Sequence, residues 1–142
     1  LPLIKPPYAR LTAIDLNRGD IAWQVPLGDG PREKVNAIVG NGTDVGPLGW
    51  ESMSAVNGNA PLVTKTLLFA GEGAGVFATP TWAGGPMFYA YDKQTGEILW
   101  EFELRKNQSG IPMTYMVDGK QYIVMAVGAR GQAAELVALS LP

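Results

Sequence analysis

Apolar and polar residues alternate along most of this chain in runs too short for helices and bounded by turn formers, the pattern of β-hairpins. "RLTAID" (10–15), the turn "LNRGD" and "IAWQVPL" (21–27) read as strand, turn and returning strand. "MFYAYD" (87–92), the turn "KQTGE" and "ILWEFEL" (98–104) have the same form. Gly19 and Gly96 fall where each turn calls for a positive φ, which glycine adopts without a Cβ clash. "APLVTK" and "TLLFAGEG" (60–73) predict two strands with a tight connection. "PMTYMVDGKQYIVMAVG" (112–128) predicts a hairpin with a two-residue type I′ turn within "DGK" (118–120). "AELVALSL" (134–141) predicts one more strand. No segment reads convincingly as a helix; "EKVNAIV" (33–39) alone shows weak helical periodicity. Two long Gly-, Pro- and Asn-rich segments, about 28–59 and 72–86, interrupt the strands. Loops of that length usually carry function, are disordered or pack on a neighbour.

Composition narrows the chemistry. With 142 residues, the chain is one domain's worth of sequence. Eleven basic and 13 acidic residues leave a net charge of −2, with no basic cluster to face phosphates, so nucleic-acid binding is not expected. The absence of cysteine and histidine excludes thiolate or imidazole metal ligands, cysteine nucleophiles and a histidine base within this chain. No apolar run approaches the roughly 20 residues of a membrane-spanning helix. The start "LPLIKPPYAR" has no signal-peptide pattern, so any targeting segment is expected outside it. Eighteen Gly and 11 Pro among many apolar residues suit an ordered, turn-rich β protein.

The two similar hairpins share more than their form. "AIDLNRGDIAW" (13–23) and "AYDKQTGEILW" (90–100) place Ala, Asp, Gly and Trp at the same intervals. The tryptophan offers a large flat surface, and the alanine is expected to leave room for a neighbour's ring. The aspartate is expected to brace the turn by accepting from Thr and Gly backbone groups. Setting aside the long loops, 60–65, 66–71, 87–92 and 98–104 make one four-stranded unit. The first copy closes a preceding unit and 112–141 begins the next, the radial repetition of a β-propeller. The predicted fold is therefore all-β, a partial propeller of about one complete blade (60–104, with an inserted loop at 72–86). Parts of two flanking blades lie at about 10–27 and 112–141, with a loop at 28–59.

The pattern Ala-x-Asp-x-x-Thr-Gly-x-x-x-Trp resembles the tryptophan-docking motif of the quinoprotein dehydrogenases, eight-bladed propellers that use pyrroloquinoline quinone (PQQ). Ala90, Asp92, Thr95, Gly96 and Trp100 match it fully. Ala13, Asp15, Gly19 and Trp23 match in the first copy, where Arg18 replaces Thr and one turn hydrogen bond is expected to be missing. "LTAIDLNRGDIAWQVPLGDGP", "PLVTKTLLFAGEG" and "PMTYMVDGKQYIVMAVG", in that order, look like the C-terminal blades of glucose and alcohol dehydrogenases. Family members are several times longer, so the resemblance implies a C-terminal portion of a longer chain. The catalytic aspartate and the calcium ligands are expected outside this segment, with no catalytic or metal residue within it.

The resemblance also implies two late contacts to the cofactor. One precedes the "LVTKTLLFAG" hairpin, where several alcohol-oxidising members carry a tryptophan. This chain has "NGNAP" there, so Asn57 and Asn59 would offer hydrogen bonds in place of stacking, unless the loop is held by its own turn bonds. The other follows "YIVMAVG", at Gly128 and Arg130, where a guanidinium fork suits a PQQ carboxylate and equally suits a solvated loop. Trp50 and Trp82 would line a substrate entrance or anchor the long loops to neighbouring blades. "GEGAGVF" (71–77) lacks the Lys-Ser/Thr and the helix of a phosphate loop. Asp29, Glu33 and Asp44 form no defensible acid–base pair.

The reading that follows is part of a PQQ- and calcium-dependent dehydrogenase, exported to the periplasm, oxidising a sugar or alcohol. Its partners would be the remaining blades and a quinone or cytochrome electron acceptor, and the segment alone would be inactive. A non-catalytic propeller scaffold with the same repeat is the competing reading, which loss of the tryptophan before Pro61 slightly favours. A third holds that these residues are the whole protein, in which case open sheet edges would drive self-association.

Overall fold

Turn chemistry closes the hairpins as the residues dictate. In the computed structural model, which describes residues 5–50, 60–73, 84–129 and 131–141, Asp118 and Gly119 take φ values of 49° and 76° between the paired Val117 and Lys120. Two consecutive positive φ angles are the type I′ signature, whose twist matches that of the flanking strands.

The elements run β1 (Arg10–Asp15), β2 (Asp20–Pro26), α1 (Arg32–Val39), β3 (Leu62–Val63), β4 (Leu67–Gly71), β5 (Met87–Asp92), β6 (Ile98–Glu103), β7 (Met113–Val117), β8 (Lys120–Val127) and β9 (Glu135–Ser140). Among the described residues they form three antiparallel sheets, ordered β1-β2, β3-β4-β5-β6 and β7-β8-β9. The first strand of the central sheet is shorter than its sequence suggests, because only Leu62 and Val63 pair with β4.

Helix α1 is a departure from the sequence reading. It buries only Val35, which explains its weak periodicity. Its start is fastened instead by Arg32, whose guanidinium donates to both oxygens of Asp29 and to the Gly46 carbonyl.

Strand alternation gives the central sheet two working faces. Phe69, Phe88 and Ala90 point one way and pack with Leu104, Met125 and Val127 beneath the third sheet. Ala70, Tyr89 and Tyr91 point the other way and pack with Leu27, while Leu11 and Val25 of the first sheet close over them. Phe88 and Tyr91 are fully buried on opposite faces of β5. Each such side chain contributes on the order of 2 kcal/mol through removal from water.

One contact joins the first sheet to the second at the turn end. The Trp23 indole N–H donates to the Lys93 carbonyl at 2.9 Å, and its ring lies against Gly96. A Cβ at Gly96 would stand 2.7 Å from the ring, and φ is +76° there, so glycine is required on both counts. The first copy's tryptophan thus docks on the second copy's turn. The alanines play a different part from the one expected. Ala13 sits opposite Trp23 and Ala90 opposite Trp100 within their own hairpins. The receiving surface is the glycine. Trp100, expected to dock, is 42% exposed and stacks on Phe102, with ring centroids 5.7 Å apart.

The turn itself is braced by Asp92, whose Oδ1 accepts from the N–H groups of Gln94 at 2.7 Å and Thr95 at 2.9 Å. Those backbone donors, Thr95 first and then Gln94, hold the carboxylate below its ordinary range. The Gly96 N–H goes to the Asp92 backbone carbonyl rather than to its side chain. Thr95 Oγ1 also accepts from the Glu97 N–H at 3.2 Å. In the first copy Asp15 repeats the brace with Asn17 and Arg18. Arg18 has no oxygen to copy the threonine bond and forms an exposed ion pair with Asp20.

Antiparallel pairing sorts the connections to two ends. Tight turns at 15–20, 63–67, 92–97 and 117–120 share one end. The longer connections, 27–61, 72–86, 104–112 and 128–134, share the other.

Replacing the docking indole separates its two contributions. Trp23→Phe keeps a ring but loses the donor and is expected to cost about 1 kcal/mol. Trp23→Ala also empties the cleft over Gly96 and should cost about 3 kcal/mol. Gly96→Val should rival the alanine variant, since it meets both the ring and the unfavourable φ. Denaturant midpoints of the three variants give the ranking.

Candidate functional site

The loop-bearing end is where binding groups are expected, because loops positioned by a rigid sheet carry most function. At that end the strand alternation Leu68, Ala70 carries one position further, to Glu72. The residue is 4% exposed, a buried carboxylate at the seam between the first and second sheets.

Glu72 is surrounded by donors. The Tyr89 hydroxyl donates to Oε1 at 2.8 Å and the Asp29 N–H to the same oxygen at 3.3 Å. The Met87 N–H and the Trp50 indole N–H also donate to the carboxylate. Gly28 and Gly85 flank it so closely that a Cβ on either would overlap the carboxylate. Two glycines therefore shape the cradle, and Glu72 fills it.

Burial pushes the Glu72 carboxyl up from its ordinary value of 4.5, against the opposing pull of Tyr89, Asp29, Met87 and Trp50. Burial also raises both tyrosines, with the Glu72 charge adding to it, so Tyr89 and Tyr91 stay neutral. Their rings meet at a centroid distance of 5.8 Å. The buried Tyr91 hydroxyl has no hydrogen-bond partner among the described residues.

The cluster can hold a proton and fix backbone segments. Among the described residues no group of three or more His, Cys, Asp or Glu side chains is placed to hold a metal ion.

The residues singled out in the sequence fare differently. Gly128 is buried beside the third sheet, and its N–H donates to the Asn107 carbonyl at 2.9 Å. The Asn107 amide in turn donates to the Gly84 carbonyl at 3.2 Å. Asn57, Asn59 and Arg130 lie outside the described residues, as does Trp82. Trp50 anchors its loop: its N–H donates to the Leu27 carbonyl at 2.9 Å and its indole to Glu72. Asp29 is taken by Arg32, and Asp44 caps its own turn at Gly46. Glu72 was missed because "GEG" reads as a loop. Its signal was the period-two register with Leu68 and Ala70, which aims an acid at the same face as two core residues.

Because the folded state raises the Glu72 pKa, it binds a proton where the unfolded chain does not. The stability this confers is complete below pH 4.5 and is lost as pH rises through the elevated folded value. Glu72→Gln removes that dependence. The difference in unfolding free energy between wild type and Glu72→Gln is therefore expected to shift in the variant's favour from acid to neutral pH, measured by denaturant titration.

Comparison with known proteins accords with the repeat and the sheets. The model of the PQQ family, described as glucose/ethanol/alcohol dehydrogenase, beta-propeller domain, matches residues 1–123. A probable quinate dehydrogenase (quinone) of Xanthomonas campestris pv. juglandis is 35% identical over all of this chain and 17% of that protein. The quinate/shikimate dehydrogenase (quinone) of Acinetobacter baylyi is 32% identical over 95% of this chain and 15% of that protein. Quinoprotein glucose dehydrogenase of Escherichia coli is 26% identical over all of this chain and 16% of that protein. A solved quinohemoprotein alcohol dehydrogenase of Pseudomonas putida HK5 is similar at 26% identity and a TM-score of 0.48, over 84% of this chain and 12% of that one. The chain thus spans about a sixth of the curated relatives it matches. With its docking repeat and three stacked antiparallel sheets, it belongs to the PQQ family of glucose/ethanol/alcohol dehydrogenases, as part of the all-β propeller domain.

Proposed function

We propose that the protein carrying this chain is a PQQ-dependent dehydrogenase that oxidises an alcohol or sugar in the periplasm. The supporting observation is the Trp23 contact with Lys93 and Gly96, made through the motif by which the sequence resembles the family. The relatives named quinate, shikimate and glucose dehydrogenases support a substrate among hydroxylated small molecules.

Fitting PQQ to this chain requires donors for its carboxylates and a flat surface for its rings. The described candidates at the loop-bearing end do not supply them. The Gly128 N–H and the Asn107 amide are both engaged within the protein, and Glu72 would repel an anionic cofactor. No chemical step is therefore assigned to these side chains. Asn57, Asn59 and Arg130 are the positions proposed to donate to the cofactor, because amides and a guanidinium suit carboxylates. Gly128 would contribute room beside the third sheet. In this proposal the calcium ligands and the catalytic base would belong to other blades, and the electron acceptor would be a quinone or a cytochrome.

In this reading the chain's own work is mechanical. The tight turns dock one blade on the next, and the opposite end presents the long connections to substrate. The segment by itself would be inactive.

The test uses the full-length protein loaded with PQQ and calcium. Reduction of an artificial dye is expected with at least one member of a panel of quinate, shikimate, glucose and glycerol, and removal of calcium should abolish it. A protein that neither binds PQQ nor reduces dye with any sugar or alcohol would be a non-catalytic propeller scaffold instead. Fractionation should find it in the periplasm or at the periplasmic side of a membrane.

A further inference from the structure

Buried carboxylates are uncommon because removal from water penalises the charge, and this one is met only by neutral donors in the bonds described above. Tyr89, Met87, Asp29 and Trp50 supply them, two from β5 and two from the connection between β2 and β3. That connection approaches the central sheet through closely spaced backbone. The Tyr8 N–H donates to the Leu48 carbonyl, Trp50 to Leu27, and Leu27 to Ala9. Leu48 is wholly buried. Glu72 bonds this layer to the neighbouring sheet at the loop-bearing end, and the absence of side chains at Gly28 and Gly85 leaves the space its carboxylate fills.

A group that only stabilised the seam would more cheaply be apolar, since well-packed hydrophobic residues often match or exceed buried ionic ones. We propose that Glu72 is a positioning residue: its carboxylate fixes segment 28–50 against β4 and β5 and so sets the geometry of the substrate-facing end, at some expense in stability. The titratable and charged groups packed around it are few. Asp29 and Arg32 from the connection neutralise one another, Tyr89 and Tyr91 on β5 remain protonated, and Glu101 on β6 lies opposite Tyr89. The positioning bonds therefore depend mainly on the charge of Glu72 itself.

The kinetic part of this inference rests on the dehydrogenase reading above; the structural part does not. The experiment compares full-length, PQQ- and calcium-loaded wild type with Glu72→Gln and Trp50→Phe. Hydrogen–deuterium exchange is read for peptides covering 28–50 and, as an internal control, 113–140. Glu72→Gln keeps the shape but turns an amide N–H₂ toward donors. Trp50→Phe removes one donor and leaves the acid in place. Both are expected to speed exchange across 28–50 about tenfold, the loss of roughly one hydrogen bond to a charged group, and to leave 113–140 unchanged. The melting temperature of Glu72→Gln at neutral pH should match or exceed that of wild type. Its kcat/KM should fall about tenfold at neutral pH. That gap should close as pH falls, because wild-type Glu72 then becomes neutral as well. Unchanged exchange across 28–50 overturns the proposal, and so does a uniform loosening of the whole chain with a matching fall in melting temperature. Faster exchange confined to 28–50 in a protein with no dehydrogenase activity upholds the positioning role and sinks the enzymatic reading instead.

Discussion

The docking of Trp23 on the 92–97 turn sets the relation between the first two sheets. It is a contact of unequal parts: an indole brings area and a donor, and a glycine turn brings a flat floor and a carbonyl. Neither half works with a different partner. A side chain at Gly96 would occupy the space of the ring, and a turn without the Asp92 brace would not hold the Lys93 carbonyl outward. With that end fixed, Tyr89 and Tyr91 meet Leu27 and Val25 in the right order, and Glu72 reaches the Asp29 N–H at the other end.

The two ends of the sheets therefore follow different physics. The turn end is built from local, repeated parts, Asx-type hydrogen bonds and positive φ glycines, joined between sheets by one aromatic contact. The loop-bearing end is held by longer-range bonds. Lys106 bridges to Glu135 and to the Ala133 carbonyl, Asn107 to Gly84, and Glu72 to Asp29. The Lys106 partner holds the Glu135 carboxylate below its ordinary value, whereas burial drives Glu72 the other way. The opposite shifts mark the opposite circumstances of an exposed, paired acid and a buried acid among neutral donors.

The hairpins, the type I′ turn and the repeated motif were legible because each depends on neighbours within about a dozen residues. The missing turn bond at Arg18 was legible for the same reason: arginine has no side-chain oxygen with which to copy Thr95. Helix α1 was not, since one buried valine is too little periodicity, and the Arg32 contacts that hold it need Gly46 brought back in space. Nor was the receiver of the indole. Alanine and glycine are both small: hairpin register sets Ala13 opposite Trp23, and only the stacking of two sheets brings Gly96 against the same ring from the next hairpin. Of the proposed cofactor positions, Gly128 proved to be tied to Asn107 through its backbone, a bond that no side-chain pattern announces.

By itself, then, the sequence determined an all-β chain of short hairpins, a docking repeat and, through that repeat, membership of the PQQ family. Those properties are written in spacing and residue type, which local geometry converts directly into turns and strands. Tertiary structure alone decided that Trp23 is received by a glycine of the next hairpin, and that an acid in an apparently loop-like "GEG" becomes the buried junction of two sheets. The physical reason is that burial and hydrogen bonding between sheets depend on which faces meet, and the faces meet through contacts 43 and 70 residues apart in the chain.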